Sequence, residues 1–356
     1  MKFLADNPET NKLGRPGPTE DEVLEAVSRS GYPLQTIVAD KLRQWFGVQE
    51  EWSYLDRHEN DQRSIDLLAE VELLDPEQKV RVRPALNLIV ECKQSSLPFV
   101  FFLGRKNPRW IPNFPLFAGL RTNSISITSD NDPSSWHLSI TNAFELDKHP
   151  FVVDEPEFCY SFSKCVRGGS RLELSGEDAF KGVVLPIRQA MRYFEDVESP
   201  PETAVYFDCH LVLGVGVLDA PMVGIRVSEL SHEASLLPWV RVIRHETEKN
   251  ETWLHRNKLY AIDVVHKDFL EQYVSKHVRP FSQVFSQLVL KHHEVLASGK
   301  GFAPGMGKNS WTEIERRLRP RRISSGAKRG RASIDQVLRL ARLRKMNKKN
   351  HAESQT

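Results

Sequence analysis

The chain has 356 residues, 40% of them hydrophobic and 27% charged, with a formal net charge of +2. That is enough apolar material for one large domain or two ordinary ones, and no apolar run reaches the roughly 18–20 residues a membrane-spanning helix needs. The start, Met1 to Pro18, is polar and carries Pro and Gly instead of an apolar secretory stretch, so a leader without regular structure and a cytoplasmic protein are expected.

In chain order, Thr19 opens a helix with Asp21 and Glu22 in its first turn, where the helix dipole favours acids. Val23, Leu24 and Val27 give it an apolar stripe, and Gly31-Tyr32-Pro33 breaks it. Ile37, Val38, Leu42, Trp45 and Phe46 predict a second helix over 34–46, closed by Gly47. Strands follow at 51–56 and 63–74. A polar turn through Gln78 leads to a third strand at 80–93, which Pro84 could interrupt with a bulge. Residues 98–103 read as a further buried strand or a short apolar segment. Residues 104–180, rich in Pro, Asn, Ser and aromatics, yield no clear pattern. A helix is predicted over 178–195, strands over 205–218, 239–245 and 259–265, and a long helix over 267–297. A Gly- and Pro-bearing stretch, 299–307, then marks a boundary. The main body is expected over 19–298 and a basic tail over 299–356, with one helix at 333–346.

Charge is unevenly placed. Between Arg316 and Lys349 there are fourteen Lys or Arg and a single acid, Asp335. A mildly acidic body with such a tail points to a polyanionic partner. Arg316, Arg317, Arg319, Arg321, Arg322, Lys328, Arg329 and Arg331 are the candidate nucleic-acid contacts, giving salt-sensitive phosphate affinity.

Other motifs carry less. Cys92, Cys159, Cys165 and Cys209 form no CxxC pair and read as buried thiols. The histidines have no HExxH spacing. Gly214-x-Gly216 lacks a third glycine and a following helix, and Gly168-Gly169 reads as a turn. Arg105, Lys106, Arg109 and Trp110, among the aromatics of 99–117, form a basic-aromatic patch that suits either base stacking or core packing.

The chemistry-bearing segment is Ile65-Asp66, followed by Val90-Glu91-Cys92-Lys93. Side chains alternate along a strand, so Glu91 and Lys93 share a face while Val90 and Cys92 share the other. A hairpin turning near Glu77 or Gln78 places Asp66 roughly opposite Ile89, or a residue away if Pro84 bulges, and so beside Glu91. Two carboxylates and an ammonium then meet where an apolar strand ends. That set suits phosphodiester hydrolysis: two acids for Mg²⁺ and a lysine for the attacking water or the phosphorane charge. The bare Glu-x-Lys triplet is unspecific, since Glu77-Gln78-Lys79 matches it too.

With helices first, then a strand bearing Asp66, then a strand ending Glu91-x-Lys93, the segment resembles the PD-(D/E)XK nuclease superfamily. Gly31-Tyr32-Pro33 and Ile65-Asp66 are similar to a bacterial branch of it, and the likeness covers about residues 19–103. It implies an α/β, restriction-endonuclease-like fold: a mixed central sheet flanked by helices. It also implies a Mg²⁺- or Mn²⁺-dependent nuclease acting on DNA in restriction, repair or phage defence, with protein partners of such a system. Asp66 and Glu91 would ligate the metal and Lys93 would complete the catalytic set. Members often add a glutamate from the first helices, for which Glu22 and Glu25 are the candidates, with Gln35 as a neutral substitute; Gln94 could touch phosphate. The alternative is a weak or inactive nuclease-fold protein that binds DNA or assembles with partners.

Overall fold

The computed structural model describes residues 6–56, 59–75, 78–105, 114–130, 134–246, 258–307 and 310–321. The chain divides into two units, Met1–Pro320 and Arg321–Thr356; of the second, only Arg321 is described.

Residues 6–18 run through turns and are mostly exposed. Helix α1 (Glu20–Arg29) begins at Thr19, whose hydroxyl accepts the Glu22 N–H while the Thr19 N–H donates back to the Glu22 carboxylate, a capping box. In α2 (Tyr32–Leu42), Pro33 sits in the first turn, where no N–H is required, and Leu34, Val38, Ala39 and Leu42 are buried at helical spacing. This helix stops short of the predicted Phe46. The chain turns through Trp45 into β1 (Gly47–Leu55), so Gly47 begins a strand. Then come β2 (Gln62–Glu72), β3 (Val82–Gln94) and β4 (Phe99–Leu103).

The stretch without a legible pattern holds, with the long strand β8 (Phe158–Gly168), the short elements β5 (Leu116–Ala118), β6 (Ser124–Thr128), β7 (Ser135–Ser139), α3 (Ile140–Ala143), α4 (Pro150–Val153) and β9 (Arg171–Ser175). The predicted helix over 178–195 is three pieces end to end: α5 (Gly176–Ala179), a π-helical turn Phe180–Val184, and α6 (Leu185–Val197). Strands β10 (Phe207–Asp219), β11 (Met222–Val227), β12 (His232–Leu236), β13 (Trp239–Glu246) and β14 (Lys258–His266) follow. The second long helix is likewise compound: α7 (Leu270–Gln272), a π-helical turn Tyr273–Val278, and α8 (Arg279–Ser298), kinked at His292. Last come β15 (Lys300–Phe302), α9 (Ile314–Arg317) and β16 (Arg319–Pro320).

The main sheet runs β1-β2-β3-β10-β14-β13-β8-β4-β11-β12, with β5 paired to β10 and β9 to β8. It is mixed: β3, β10 and β14 are parallel neighbours at its centre, while β1, β2 and β3 form an antiparallel meander. The central strands carry long apolar runs, Leu88–Val90 in β3 and Leu211–Leu218 in β10, because both faces are covered there. On one face Leu88, Val90 and Val215 join a core with α2 and α8; on the other Ile89 and Val212 join one with α6. Gly214 and Gly216 have a packing role here. A Cβ on Gly214 would lie 2.5 Å from Ile187 Cγ2 and one on Gly216 2.6 Å from Val183 Cγ1, so the lack of a side chain lets α6 and the π-helical turn before it press onto β10. The fold is therefore mixed α/β, a large mixed sheet flanked by helices. No described helix is long and apolar enough to cross a membrane.

The compact body reaches Pro320, beyond the boundary expected near residue 299. Residues 300–302 and 319–320 close a second, four-stranded sheet, β16-β15-β6-β7, whose inner side chains Ile125 and Ile127 join the core beside α8. Deep in the body, Arg241 and Asp263 form a bidentate ion pair at 2.7 and 3.0 Å. The Tyr273 hydroxyl donates to the same carboxylate at 2.9 Å, and Arg241 also donates to the carbonyl oxygens of Phe151 and Glu155. All four cysteines are buried free thiols. Gly169, with φ +64°, turns the β8–β9 hairpin.

Candidate active site

The β2–β3 hairpin pairs Leu67 with Val90 and Leu68 with Ile89, so Asp66 stands level with Glu91. This differs by two residues from the expected pairing with Ile89. The connection centres between Gln78 and Lys79, one residue later than read, and a one-residue shift of the turn moves the register by two. Pro84 lies inside β3 with no register break against β10, where a proline needs only to forgo one N–H. Alternation holds at the strand end: Val90 and Cys92 join the core beneath α2 and α8, and Glu91 and Lys93 share the opposite side, where Lys93 Nζ lies 2.6 Å from Glu91 Oε1.

The hydrogen bonds fix this corner from several sides. The Cys92 N–H donates to Asp66 Oδ2 at 2.6 Å, and the Asp66 backbone N–H slightly eases the charge on the Glu91 carboxylate. Gln35, buried on α2, donates its amide N–H to the Asp66 carbonyl oxygen at 3.2 Å. Gly182, in the π-helical turn, passes over Lys93: a Cβ there would lie 3.9 Å from Lys93 Cε. The wider turn of the π segment thus falls where the helix crosses the strand end.

The electrostatics follow from burial. Glu91 is 5% exposed. Loss of water, then the charge of Asp66, pushes its carboxyl up to about 7 despite the pull of Lys93. Asp66 is also raised, by burial first and by Glu51, against the opposing Cys92 N–H and Lys93. Lys93 loses some basicity to burial, but Glu91 and Asp66 together outweigh that and hold it above the ordinary lysine range. Two acids and one cation therefore share a partly buried corner, with negative charge in excess.

Two neighbours escape sequence reading. Glu51, in β1, lies level with Asp66 between the pairs Glu50–Leu67 and Trp52–Ile65. Its φ of +52° is left-handed, a conformation that costs a non-glycine residue and places its carboxylate where Ser64 Oγ donates at 3.0 Å. Tyr54 is buried nearby; burial, with the charge of Glu91 adding to it, pushes its hydroxyl up to about 12. Beside it, Gln189 of α6 donates to Asp56 at 2.7 Å, and Arg63 Nε lies 3.1 Å from the same oxygen.

Other candidates stand elsewhere. Glu25 is exposed on α1 and ion-paired with Arg29, and the structure does not bring it to Asp66 or Glu91. Gln94 is exposed at the end of β3. Arg317 donates its guanidinium N–H groups to the carbonyls of Pro304, Ser310 and Thr312. Arg316 is exposed and paired with Glu313 at 2.8 Å, and Arg319 and Arg321 are exposed. Arg322, Lys328, Arg329, Arg331 and the helix expected at 333–346 lie outside the described residues, as do Lys106, Arg109 and Trp110. Among the described residues no three His, Cys, Asp or Glu side chains gather as a ready cation cage. Comparison with protein-family models, curated proteins and solved structures finds no match for this chain.

Proposed function

We propose that this protein is a metal-dependent nuclease of the restriction-endonuclease-like class that hydrolyses DNA phosphodiester bonds at Asp66, Glu91 and Lys93. The observation that carries the reading is the shared level of Asp66 and Glu91 on paired strands, with Lys93 Nζ 2.6 Å from Glu91.

The donor set fits a hard divalent cation. Mg²⁺ takes oxygen ligands, commonly one or two carboxylates with water and phosphate completing its sphere. Asp66 and Glu91 supply two carboxylates whose proximity is costly without further positive charge. Bound there, Mg²⁺ or Mn²⁺ would acidify a water and offset charge on the phosphate. The chain's own residues do the rest. The Cys92 N–H and Gln35 hold Asp66 in place. Lys93, whose ammonium is strengthened by both acids, stabilises charge that develops on the phosphoryl oxygens. The raised basicity favours that role over proton abstraction. Arg319, Arg321 and the remaining tail cations add sequence-independent phosphate affinity, and a role in restriction, repair or phage defence, with partners from such a system, fits this activity.

A second reading, a nuclease-fold protein that binds DNA without cutting it, draws on the expected helical carboxylates standing apart, Glu25 in a pair with Arg29 and Glu22 in the capping box of Thr19. Incubating purified protein with linear, circular and single-stranded DNA and Mg²⁺ or Mn²⁺, beside Glu91→Ala and Lys93→Ala, decides between them. Cleavage lost in folded variants supports the nuclease; no cleavage with either metal, and unchanged DNA binding by the variants, supports the binding protein.

A further inference from the structure

We infer that the outer face of the small four-stranded sheet is a binding platform for single-stranded nucleic acid, separate from the Asp66–Glu91 corner.

The face is defined by register. Side chains of paired residues point the same way. Ile125 and Ile127 point inward, and so does Leu318, whose Cδ1 lies 2.6 Å from where a Cβ on Gly301 would stand. Alternate residues therefore point out. Ser135, Thr128, Phe302 and Arg319 stand level across β7, β6, β15 and β16. Two residues along, His137, Ser126 and Lys300 form a second row. Three inter-strand steps give a platform about 14 Å wide.

Its chemistry is one-sided. The four strands contain no Asp or Glu. Outward they offer hydroxyls, an imidazole, the two exposed cations Lys300 and Arg319, and the half-buried ring of Phe302. Among the described residues around it, Asp130 accepts the Gly305 N–H, Glu313 pairs with Arg316, and Glu315 pairs with Lys291 and His292. The chain continues from Arg319 into the cation-rich stretch that ends at Lys349. Hydroxyls and cations match phosphates, and an aromatic on an open sheet matches an unstacked base, a pairing that single strands satisfy and duplexes do not. The inner side of this sheet rests on the core beside α8, and α8 packs on β3 from the side opposite Glu91 and Lys93. A strand held here is thus gripped away from the Asp66–Glu91 corner.

The test is fluorescence anisotropy of a labelled oligo-dT twenty-mer with the full chain in EDTA, where hydrolysis plays no part and failure of the nuclease reading leaves the result intact. Lys300→Glu with Arg319→Glu should weaken binding about tenfold and lower the salt slope by about 1.4, two phosphate contacts at about 0.7 each. Phe302→Ala should weaken the single strand about fivefold or more, leave duplex binding almost unchanged and leave the salt slope alone. Lys300→Ala with Arg319→Ala guards against misfolding, with melting temperatures as the control. Native affinity and salt slope in folded charge variants would overturn the platform. So would equal loss of single-strand and duplex binding in Phe302→Ala, or displacement of the oligonucleotide by polyglutamate as readily as by unlabelled oligo-dT.

Discussion

Two groups of charges lie in the body of this protein, and they are built on opposite principles. Around Arg241 opposite charges match one to one: the guanidinium is bidentate with Asp263, two carbonyls accept from its Nη1, and Tyr273 caps the carboxylate. Around Glu91 the balance fails: two acids share one lysine, and the Glu91 carboxyl is pushed up to about 7. A buried charge set that closes on itself ties elements together. One that leaves negative charge uncompensated is poised for a cation, and perturbed acids of this sort concentrate at functional sites.

The largest expected difference comes from breaking the closed network. Asp263→Ala strands a buried guanidinium and should cost about 3–5 kcal/mol in denaturant melts. Glu91→Gln, by contrast, removes an uncompensated charge and should stabilise the metal-free protein by about 1–3 kcal/mol at pH 8. Destabilisation by Glu91→Gln would place the two groups in the same class.

Next is the effect on cleavage. Asp66→Ala, Glu91→Ala and Lys93→Ala should each lower the rate of DNA hydrolysis with Mg²⁺ by roughly 10²–10³-fold, read in single-turnover assays. Asp263→Asn, if it folds, should leave the cleavage constants near native once corrected for folded fraction.

The pH dependence separates the groups further. Glu91 has a folded value of about 7, above its ordinary 4.5, so folding binds protons at this site. The stability this contributes is fully present below pH 4.5 and is lost as pH rises through 7, on the order of a few kcal/mol. Asp66, also raised, acts with the same sign. Metal-free melts should show this decline, and Mg²⁺ should flatten it; a flat metal-free profile would remove the argument from charge excess. A smaller effect is expected at Glu51. Glu51→Gln relieves part of the push on Asp66 and should change cleavage only about two- to fivefold, a few tenths to one kcal/mol.

How much of this was legible in sequence varied by element. The hairpin was readable because Ile65-Asp66 and Val90-Glu91-Cys92-Lys93 alternate between core and site, and alternation survives an error in register. The level of Asp66 with Glu91 was not, because it hangs on one residue in the turn. Gln35 was a candidate only as a neutral substitute for a glutamate; its amide proved to steady the Asp66 backbone. Glu51 gave no signal, since its position depends on a left-handed backbone inside a strand. Residues 104–180 hid β5 to β9 because most of them are short and several of their pairings are distant in sequence: β5 on β10, β6 on β15, and β8 between β4 and β13. Arg317 looked like its basic neighbours, and the loop carbonyls that it binds show only in the fold.

The most direct test of the central claim is titration of metal-free protein with Mn²⁺ by calorimetry at pH 7.5, native beside Asp66→Asn and Glu91→Gln. The account predicts Mn²⁺ binding with proton release in the native protein, lost in both variants while each remains folded. Native-like Mn²⁺ binding in the variants, or none in the native chain with DNA present, would contradict it.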